Sequence, residues 1–142
     1  MKYLLLLLVF ACPLFVQAQV SSSDSSLIRQ ACENYVGGFY NSDTIRIAQG
    51  VHPELVKRII AKKMNYQIRN MSAQELINTA KGFKHPSDSG EPFKITVNIY
   101  DIANDIAMAK ITTNKMNFFD YAQLAKINGN WKIINVLWAF NP

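Results

Sequence analysis

The sequence has few of the residues that build the commonest metal-binding and nucleophilic sites. It contains two cysteines and two histidines among 142 residues, and their spacing matches no zinc-binding pattern. It also lacks a glycine-rich phosphate loop, an internal repeat and a heptad pattern. We therefore expect neither a bound metal nor a cofactor.

Acidic residues are also scarce relative to basic ones. The chain has 15 lysines and arginines against 10 acidic residues, which gives a formal net charge of +5. A basic balance of this kind is one feature of nucleic-acid-binding proteins. Here, however, the basic residues are spread along the chain and cluster once, at Lys57, Arg58, Lys62 and Lys63. We interpret this cluster as a solvated surface and expect no nucleic-acid partner.

The longest apolar run lies at the amino terminus. Lys2 precedes an apolar stretch over residues 3–16, and the small residue Ala18 follows it. This layout is typical of a secretory signal peptide, and the run is shorter than the ~20 apolar residues that span a bilayer. We predict a signal peptide over residues 1–18 and an exported protein, periplasmic or secreted, that has no membrane contact after cleavage.

The two cysteines bear on this export prediction. An alternative interpretation is a lipoprotein anchored through Cys12, but the bulky Phe10 stands where such a signal prefers a small residue. Once the signal peptide is removed, Cys32 is the single remaining thiol. The predicted domain, residues 19–142, then holds no internal disulfide and must be stabilised by packing. We interpret Cys32 as a buried apolar residue.

Helical patterns occupy the first half of this domain. Ile28, Cys32, Tyr35 and Phe39 recur at helical spacing, which predicts a helix over residues 25–40.

Two further helices are indicated by their capping residues. Asp43 is placed to cap a helix over residues 44–51, which Pro53 brings to an end. The capping box at 72–75 begins a third helix, and Gly82 is a stop signal for it.

Strand patterns dominate the second half. Residues 54–69 fit either a short helix or two short strands, and we interpret them as strands. After a loop over 85–92, β-type runs cover residues 93–102 and 106–113 and continue into a hairpin over 118–140. Three helices followed by a four-stranded antiparallel meander predict an α+β domain, with the helices across one face of the sheet and a pocket at its open end.

The hairpin turns at Asn128-Gly129, a pair favoured in two-residue type I′ turns. Counting back from this turn pairs Asp120 with Leu137. One face of the hairpin is then predicted to carry Phe118, Asp120, Asn135 and Leu137, and the other Phe119, Tyr121, Ile134 and Trp138. Neither face is polar, so we expect helices to cover the first and a second copy of the chain to cover the other, giving a homodimer.

Several segments of the chain carry a family resemblance. They are residues 35–40 with Asp43, 52–58, 71–72 with 75–76, 120–121, and 131–133 with 137–138. Together they resemble the putative lumazine-binding family of the nuclear transport factor 2-like (SnoaL-like) superfamily. The resemblance implies a cone-shaped fold, with helices packed on a curved and mainly antiparallel sheet, frequent dimers, and a pocket that is catalytic in relatives similar to ketosteroid isomerase and polyketide cyclases. Gly37 departs from the acidic residue expected before Gly38.

Asp120 is the leading candidate for a functional residue, because it is a lone carboxylate on an otherwise apolar strand face. Such a group can anchor a ligand or act as a general acid or base, and His52 is a second catalytic candidate. The predicted pocket residues are Tyr35, Tyr40, His52, Phe118, Asp120, Asn135 and Leu137. In the alternative, Asp120 pairs with a basic side chain or a backbone amide, and the tyrosines belong to the core.

Three hypotheses for function remain open on the sequence alone. The first is an exported protein that binds a small apolar or aromatic molecule, with Asp120 as the polar anchor. The second is a lyase-like or isomerase-like enzyme that uses Asp120 as acid or base. The third is a dimeric scaffold whose cone is filled by side chains. The presence and lining of a cavity separate the third hypothesis from the other two.

Overall fold

The computed structural model describes residues 22–61, 65–84 and 90–141. The predicted signal peptide and Cys12 lie outside these residues, as do Lys62, Lys63 and positions 85–89 of the predicted loop. Within the described part of the chain, no helix is long and apolar enough to cross a membrane.

The described residues form three helices, in the order expected. They are α1 (Ser22–Tyr40), α2 (Thr44–Gly50) and α3 (Ala73–Lys81). The predicted caps are confirmed: the Asp43 carboxylate accepts from the Arg46 backbone N–H at 3.0 Å, and Ser72 and Glu75 complete a reciprocal capping box. These bonds satisfy backbone donors that a helix leaves unpaired in its first turn.

In the part of the chain that the structure describes, six strands form a single mixed sheet. They are β1 (Val51–Ala61), β2 (Gln67–Ser72), β3 (Ile95–Ala103), β4 (Ile106–Thr113), β5 (Phe118–Ile127) and β6 (Asn130–Phe140). Their order across the sheet is β2-β1-β6-β5-β4-β3. The β1/β6 pair is parallel and the other described pairs are antiparallel. The interpretation of residues 54–69 as strands and the α+β fold class are both confirmed.

Strand β1 begins irregularly, because it contains a proline. Its pairing with β6 moves from Val51 opposite Ile133 to Val56 opposite Asn135, so the intervening residues of β1 are out of register. Pro53 lies in this gap. Proline has no backbone N–H, and none is needed here because the residues in the gap are not paired with β6. The helix expected to run to residue 51 ends at Gly50, and His52 and Pro53 belong to β1.

Helices α1 and α2 pack closely through glycines. A Cβ atom at Gly38 would lie 2.8 Å from the backbone nitrogen of Ile47, and one at Gly50 would lie 2.4 Å from the carbonyl oxygen of Ala31. Both distances are shorter than a carbon atom can tolerate. The expected close approach at Gly38 is therefore confirmed, and it allows α2 to pack directly against α1.

The helices cover one face of the sheet, which we call the inner face. It carries buried residues of β5 and β6, including Ala122, Leu124, Ile133 and Val136. The opposite, outer face keeps exposed apolar side chains, including Ile106, Met108, Tyr121, Ile134 and Leu137. Cys32 lies buried in the core between the helices and the inner face, as predicted for an apolar residue.

Candidate functional site

An apolar cavity of about 410 Å³ lies between the helices and the inner face of the sheet. Its helical wall includes Tyr35, Val36 and Phe39 of α1 and Leu76 and Thr79 of α3. Its sheet wall includes Lys57, Met71, Phe118, Trp138 and Phe140. The volume lies in the range of small-molecule sites, about 300 to 1,000 Å³. The cone is therefore not filled by its own side chains.

Three polar side chains meet at the wall of this cavity. The Lys57 ammonium donates to Asp120 Oδ1 at 2.7 Å and to the Tyr35 hydroxyl oxygen at 2.6 Å. The Tyr35 hydroxyl in turn donates to Asp120 Oδ2 at 2.9 Å. The result is a closed triangle of hydrogen bonds that contains one positive and one negative charge.

This triangle is buried to different depths. Asp120 is 0% exposed and does not line the cavity, whereas Lys57 is 7% exposed and does. Both carboxylate oxygens of Asp120 are occupied, by Lys57 and Tyr35. The charged side chain that lines the cavity beside this triangle is therefore that of Lys57, and Asp120 binds its ammonium from within the protein.

Aromatic rings surround the ammonium of Lys57. Its nitrogen lies 4.9 Å from the ring centroid of Trp138, 5.2 Å from that of Phe118 and 5.3 Å from that of Tyr35. Cations within about 6 Å of a ring centroid are attracted to the electron-rich ring face. The rings therefore offset part of the cost of removing this charge from water.

Burial shifts the ionisation of both Lys57 and Tyr35. It lowers the pKa of the Lys57 ammonium, and the negative charge of Asp120 opposes part of that change. It raises the pKa of the Tyr35 hydroxyl well above its ordinary value, with Asp120 adding to the shift. Tyr35 consequently remains a protonated hydrogen-bond donor at neutral pH.

The structure brings together three of the predicted pocket residues. Tyr35 and Phe118 line the cavity, and Asp120 lies directly behind it. Tyr40 instead stacks on Phe93, with ring centroids 3.7 Å apart. His52 lies away from the cavity lining, and its Nδ1 accepts from the Glu54 backbone N–H at 3.2 Å.

Asn135 and Leu137 were predicted to face the pocket, but they lie on the outer face. The predicted hairpin pairing is correct from the turn to Leu124 and wrong beyond it. Strand β6 has one extra residue there, Ile134, so Asp120 pairs with Trp138 and not with Leu137. A shift of one residue moves every later side chain to the opposite face. Leu137 is accordingly 48% exposed.

The same bulge corrects the prediction for Trp138. Expected on the outer face, it lines the cavity and stands edge-on to Phe118, with ring centroids 6.0 Å apart. The bulge residue Ile134 does lie on the outer face, as expected. Asn135, which was predicted to face the ligand, donates to the Gln123 side chain at 2.8 Å and accepts from Arg58.

Lys57 is the main residue that the sequence interpretation missed, since it was assigned to a solvated cluster. A signal for its true position was present in β1. Leu55 and Lys57 are two residues apart, and alternate residues of a strand share one face. Leu55 is a strong core residue, so the alternation places Lys57 on the inner face beside it.

Among the residues that the structure describes, no group of three or more histidine, cysteine or acidic side chains could hold a metal ion. Every buried side-chain nitrogen and oxygen in the same part of the chain has a hydrogen-bond partner.

A model of the family described as putative lumazine-binding matches residues 23–139. No functionally curated protein sequence matches the chain.

Several crystal structures have the same fold. A nuclear transport factor 2-like protein of unknown function from Shewanella baltica has a TM-score of 0.72 at 19% identity, covering 84% of this chain and 95% of that one. A ketosteroid isomerase-like protein from Erwinia carotovora atroseptica has a TM-score of 0.61 at 12% identity, covering 84% and 98%. A putative scytalone dehydratase from Novosphingobium aromaticivorans has a TM-score of 0.61 at 10% identity, covering 84% and 85%. At such identities the likeness shows the fold alone.

Proposed function

This chain belongs to the putative lumazine-binding family, and we propose that it is an exported protein that binds a small, flat, partly apolar molecule in the cavity beside Lys57. The observation that carries the proposal is the lining of that cavity. Aromatic and aliphatic side chains surround a volume of about 410 Å³, and a polar triangle lies at its wall. Apolar walls with a few placed polar groups are typical of small-molecule sites.

The rings of Phe118 and Trp138 favour a flat ligand. Both rings line the cavity, and an aromatic molecule can stack on one and meet the edge of the other. Such contacts add to the free energy gained by burying apolar surface.

Lys57 supplies the polar anchor, and Asp120 acts through it. Two of the three ammonium protons are directed to Asp120 and Tyr35. The third has no hydrogen-bond partner among the described residues, and Lys57 lines the cavity. A ligand oxygen placed there would accept a charge-assisted hydrogen bond, which is stronger than one between neutral groups. We therefore propose Lys57 as the polar group that contacts the ligand, in place of Asp120, which binds the Lys57 ammonium.

The geometry supports binding better than acid–base catalysis by Asp120. A general acid or base must reach the reacting atom of its substrate directly or through one water. Asp120 is fully buried, and both of its oxygens accept hydrogen bonds from within the protein. The filled-scaffold hypothesis is disfavoured by the cavity itself.

A thermal-shift screen against flavins, pterins including lumazine, steroids and fused aromatic acids tests this proposal. Binding to the folded state raises the melting temperature, and the rise grows with the logarithm of ligand concentration divided by Kd. Thr79→Trp places a large ring in the cavity from an exposed helix position, and we expect it to abolish the shift. Asn78→Trp, on the neighbouring exposed residue outside the lining, is the matched control and should retain the shift. An equal response of both variants would contradict binding in this cavity.

A further inference from the structure

We propose that Lys57 forms a covalent imine with an apolar aldehyde or ketone that enters the cavity. This reaction rests on the proposed function, because the carbonyl compound must first bind in the cavity. Three features of the structure support it. They are the position of the Lys57 nitrogen among cavity-lining rings, the two proton-transferring groups that contact this nitrogen, and the ion pair that the product preserves.

The Lys57 nitrogen lies beside the cavity. The Lys57 side chain lines the cavity, and so do the rings of Tyr35, Phe118 and Trp138. The centroids of these three rings lie 4.9 to 5.3 Å from the nitrogen. An apolar carbonyl compound that stacks on one of the rings can therefore bring its carbonyl carbon to the amine. Among the described residues, Lys57 is the one buried basic side chain.

A neighbouring carboxylate can activate the Lys57 amine. An amine attacks a carbonyl carbon only after it has lost a proton. Asp120 Oδ1 is a suitable acceptor, since it lies 2.7 Å from the Lys57 nitrogen. Proton transfer along this bond converts two buried charges into two neutral groups, which cost less to bury. Burial also lowers the pKa of the Lys57 ammonium, as in other lysines that act as nucleophiles in apolar pockets.

Tyr35 can supply the proton that releases water. Attack by the amine gives a carbinolamine, whose hydroxyl group must be protonated before it leaves. The Tyr35 hydroxyl oxygen lies 2.6 Å from the Lys57 nitrogen, and the hydroxyl donates to Asp120 Oδ2 at 2.9 Å. Tyr35 can therefore pass a proton to the departing oxygen and take its replacement from Asp120.

The atoms and charges of the reaction balance. The Lys57 ammonium and the carbonyl compound give a protonated imine and one water molecule, which carries away the carbonyl oxygen and two of the ammonium protons. The C=O bond breaks, a C=N bond forms, and no group is oxidised or reduced. The product keeps one positive charge opposite Asp120, so the buried ion pair persists. The apolar wall limits the water that could hydrolyse the imine.

Binding without reaction is the competing case, because a carbonyl oxygen can also accept a hydrogen bond from the ammonium. Reductive trapping separates the two cases. Cyanoborohydride reduces an imine to a stable secondary amine, whereas a hydrogen-bonded aldehyde stays unattached. The probe is 2-naphthaldehyde, whose fused rings match the apolar lining of the cavity.

Peptide mass mapping identifies the lysines that the probe labels. At about pH 7, where exposed lysines stay protonated, we expect one naphthylmethyl group on Lys57. It should be added about tenfold faster than to the exposed Lys81 and Lys94, because the cavity holds the probe beside the amine. Thr79→Trp, which leaves the polar triangle intact, should prevent the label on Lys57, and Asn78→Trp should retain it. Labelling of the two exposed lysines should be equal in all three proteins.

The Tyr35→Phe variant tests the proton transfer. It keeps the ring and removes the hydroxyl, so the label on Lys57 should form about tenfold more slowly or worse. The probe should still raise the melting temperature of this variant. An unchanged rate of labelling would contradict the role that we assign to the hydroxyl.

The outcomes separate the reaction from the proposed function. If the probe raises the melting temperature, and Thr79→Trp abolishes the rise, but Lys57 carries no label, the cavity binds the aldehyde without reacting and the imine is overturned. A label on Lys115 or on exposed lysines in place of Lys57 also overturns it. If the probe neither labels Lys57 nor raises the melting temperature, and the thermal-shift screen finds no ligand, the proposed function fails as well.

Discussion

Lys57 and Asp120, which are 63 residues apart in the chain, form a buried ion pair with 2.7 Å between nitrogen and oxygen. The pair joins β1 to β5 across the intervening strand β6. It fixes the ammonium at the cavity wall, and Tyr35 of α1 closes the triangle. The fold therefore depends on the same contacts that we propose for ligand binding.

Removing one partner of this pair should destabilise the protein strongly. Either Asp120→Asn or Lys57→Met leaves an uncompensated buried charge, and we expect each to lower the free energy of unfolding by about 3 to 5 kcal/mol. Lys57→Met/Asp120→Asn should be more stable than either single variant, because it leaves no buried charge. Urea unfolding of the four proteins measures these differences.

A partly exposed ion pair of the same chain provides the control. Lys126 lies 2.9 Å from Asp24, with both side chains reached by solvent. Lys126→Met should cost about 1 kcal/mol or less, because water screens that pair. Additive losses in the Lys57/Asp120 cycle, or a loss at Lys126 as large as that at Lys57, would contradict the account of the buried pair.

Cys32 should remain an unreactive thiol and should make stability sensitive to alkaline pH. Burial, with smaller effects of Glu33 and Asp120, raises its pKa from 9.0 to about 12. Above pH 9 the unfolded chain loses the thiol proton while the folded protein keeps it. The contribution of Cys32 to stability is therefore complete below pH 9 and falls by ~4 kcal/mol as the pH rises to about 12.

The Cys32→Ala variant isolates this effect, since every other group titrates in both proteins. The difference in unfolding free energy between wild type and variant should decrease by ~1 kcal/mol between about pH 8 and about pH 10. Alkylation by iodoacetamide at about pH 8 should be slow in the folded protein and fast in urea. A constant difference over this range, or rapid alkylation of the native thiol, would be inconsistent with the buried position of Cys32.

We propose that the outer face forms a homodimer interface. Leu137 and Tyr121 are exposed there beside Ile134 and Met108, and apolar patches on a sheet face are commonly covered by a partner. A second copy is a suitable partner because a two-fold interface pairs this surface with itself. Ile134→Lys should give a soluble monomer that still binds the ligand, since Ile134 lies on the face opposite the cavity. Sedimentation of the wild type as a monomer at micromolar concentration would contradict the proposal.

We also expect the exported protein to begin at Gln19. Ala18 combines a small side chain with a suitable distance from the apolar run of residues 3–16. Intact-mass measurement of protein recovered from an exporting host identifies the new terminus. A mass that includes a diacylglycerol group on Cys12 would instead favour the lipoprotein alternative.

Local signals predicted much of the fold. The capping residues Asp43 and Ser72 marked helix starts correctly because each bonds within a few residues of itself. The Asn128-Gly129 turn was also recognisable, since both residues adopt the positive φ angles that this turn requires. Strand periodicity then placed the later strands within a few residues.

The site was harder to predict, because it depends on two features without a local signature. No glycine or proline marks the bulge at Ile134 in the sequence. The bulge nevertheless places Trp138 at the cavity, where Leu137 was predicted. The partner of Asp120 lies in a distant strand and is recognisable only when β1 is known to pair with β6. Asp120 itself was found because an isolated carboxylate on an apolar face is detectable from strand alternation alone.

Ligand binding beside Lys57 is tested most directly by a crystal structure of the protein with the ligand that raises its melting temperature most. We predict a planar group among Tyr35, Phe118 and Trp138, with a ligand oxygen within ~3.2 Å of the Lys57 nitrogen. Asp120 should keep its bonds to Lys57 and Tyr35. A ligand bound on the outer face, or one in the cavity with no polar atom near Lys57, would contradict it.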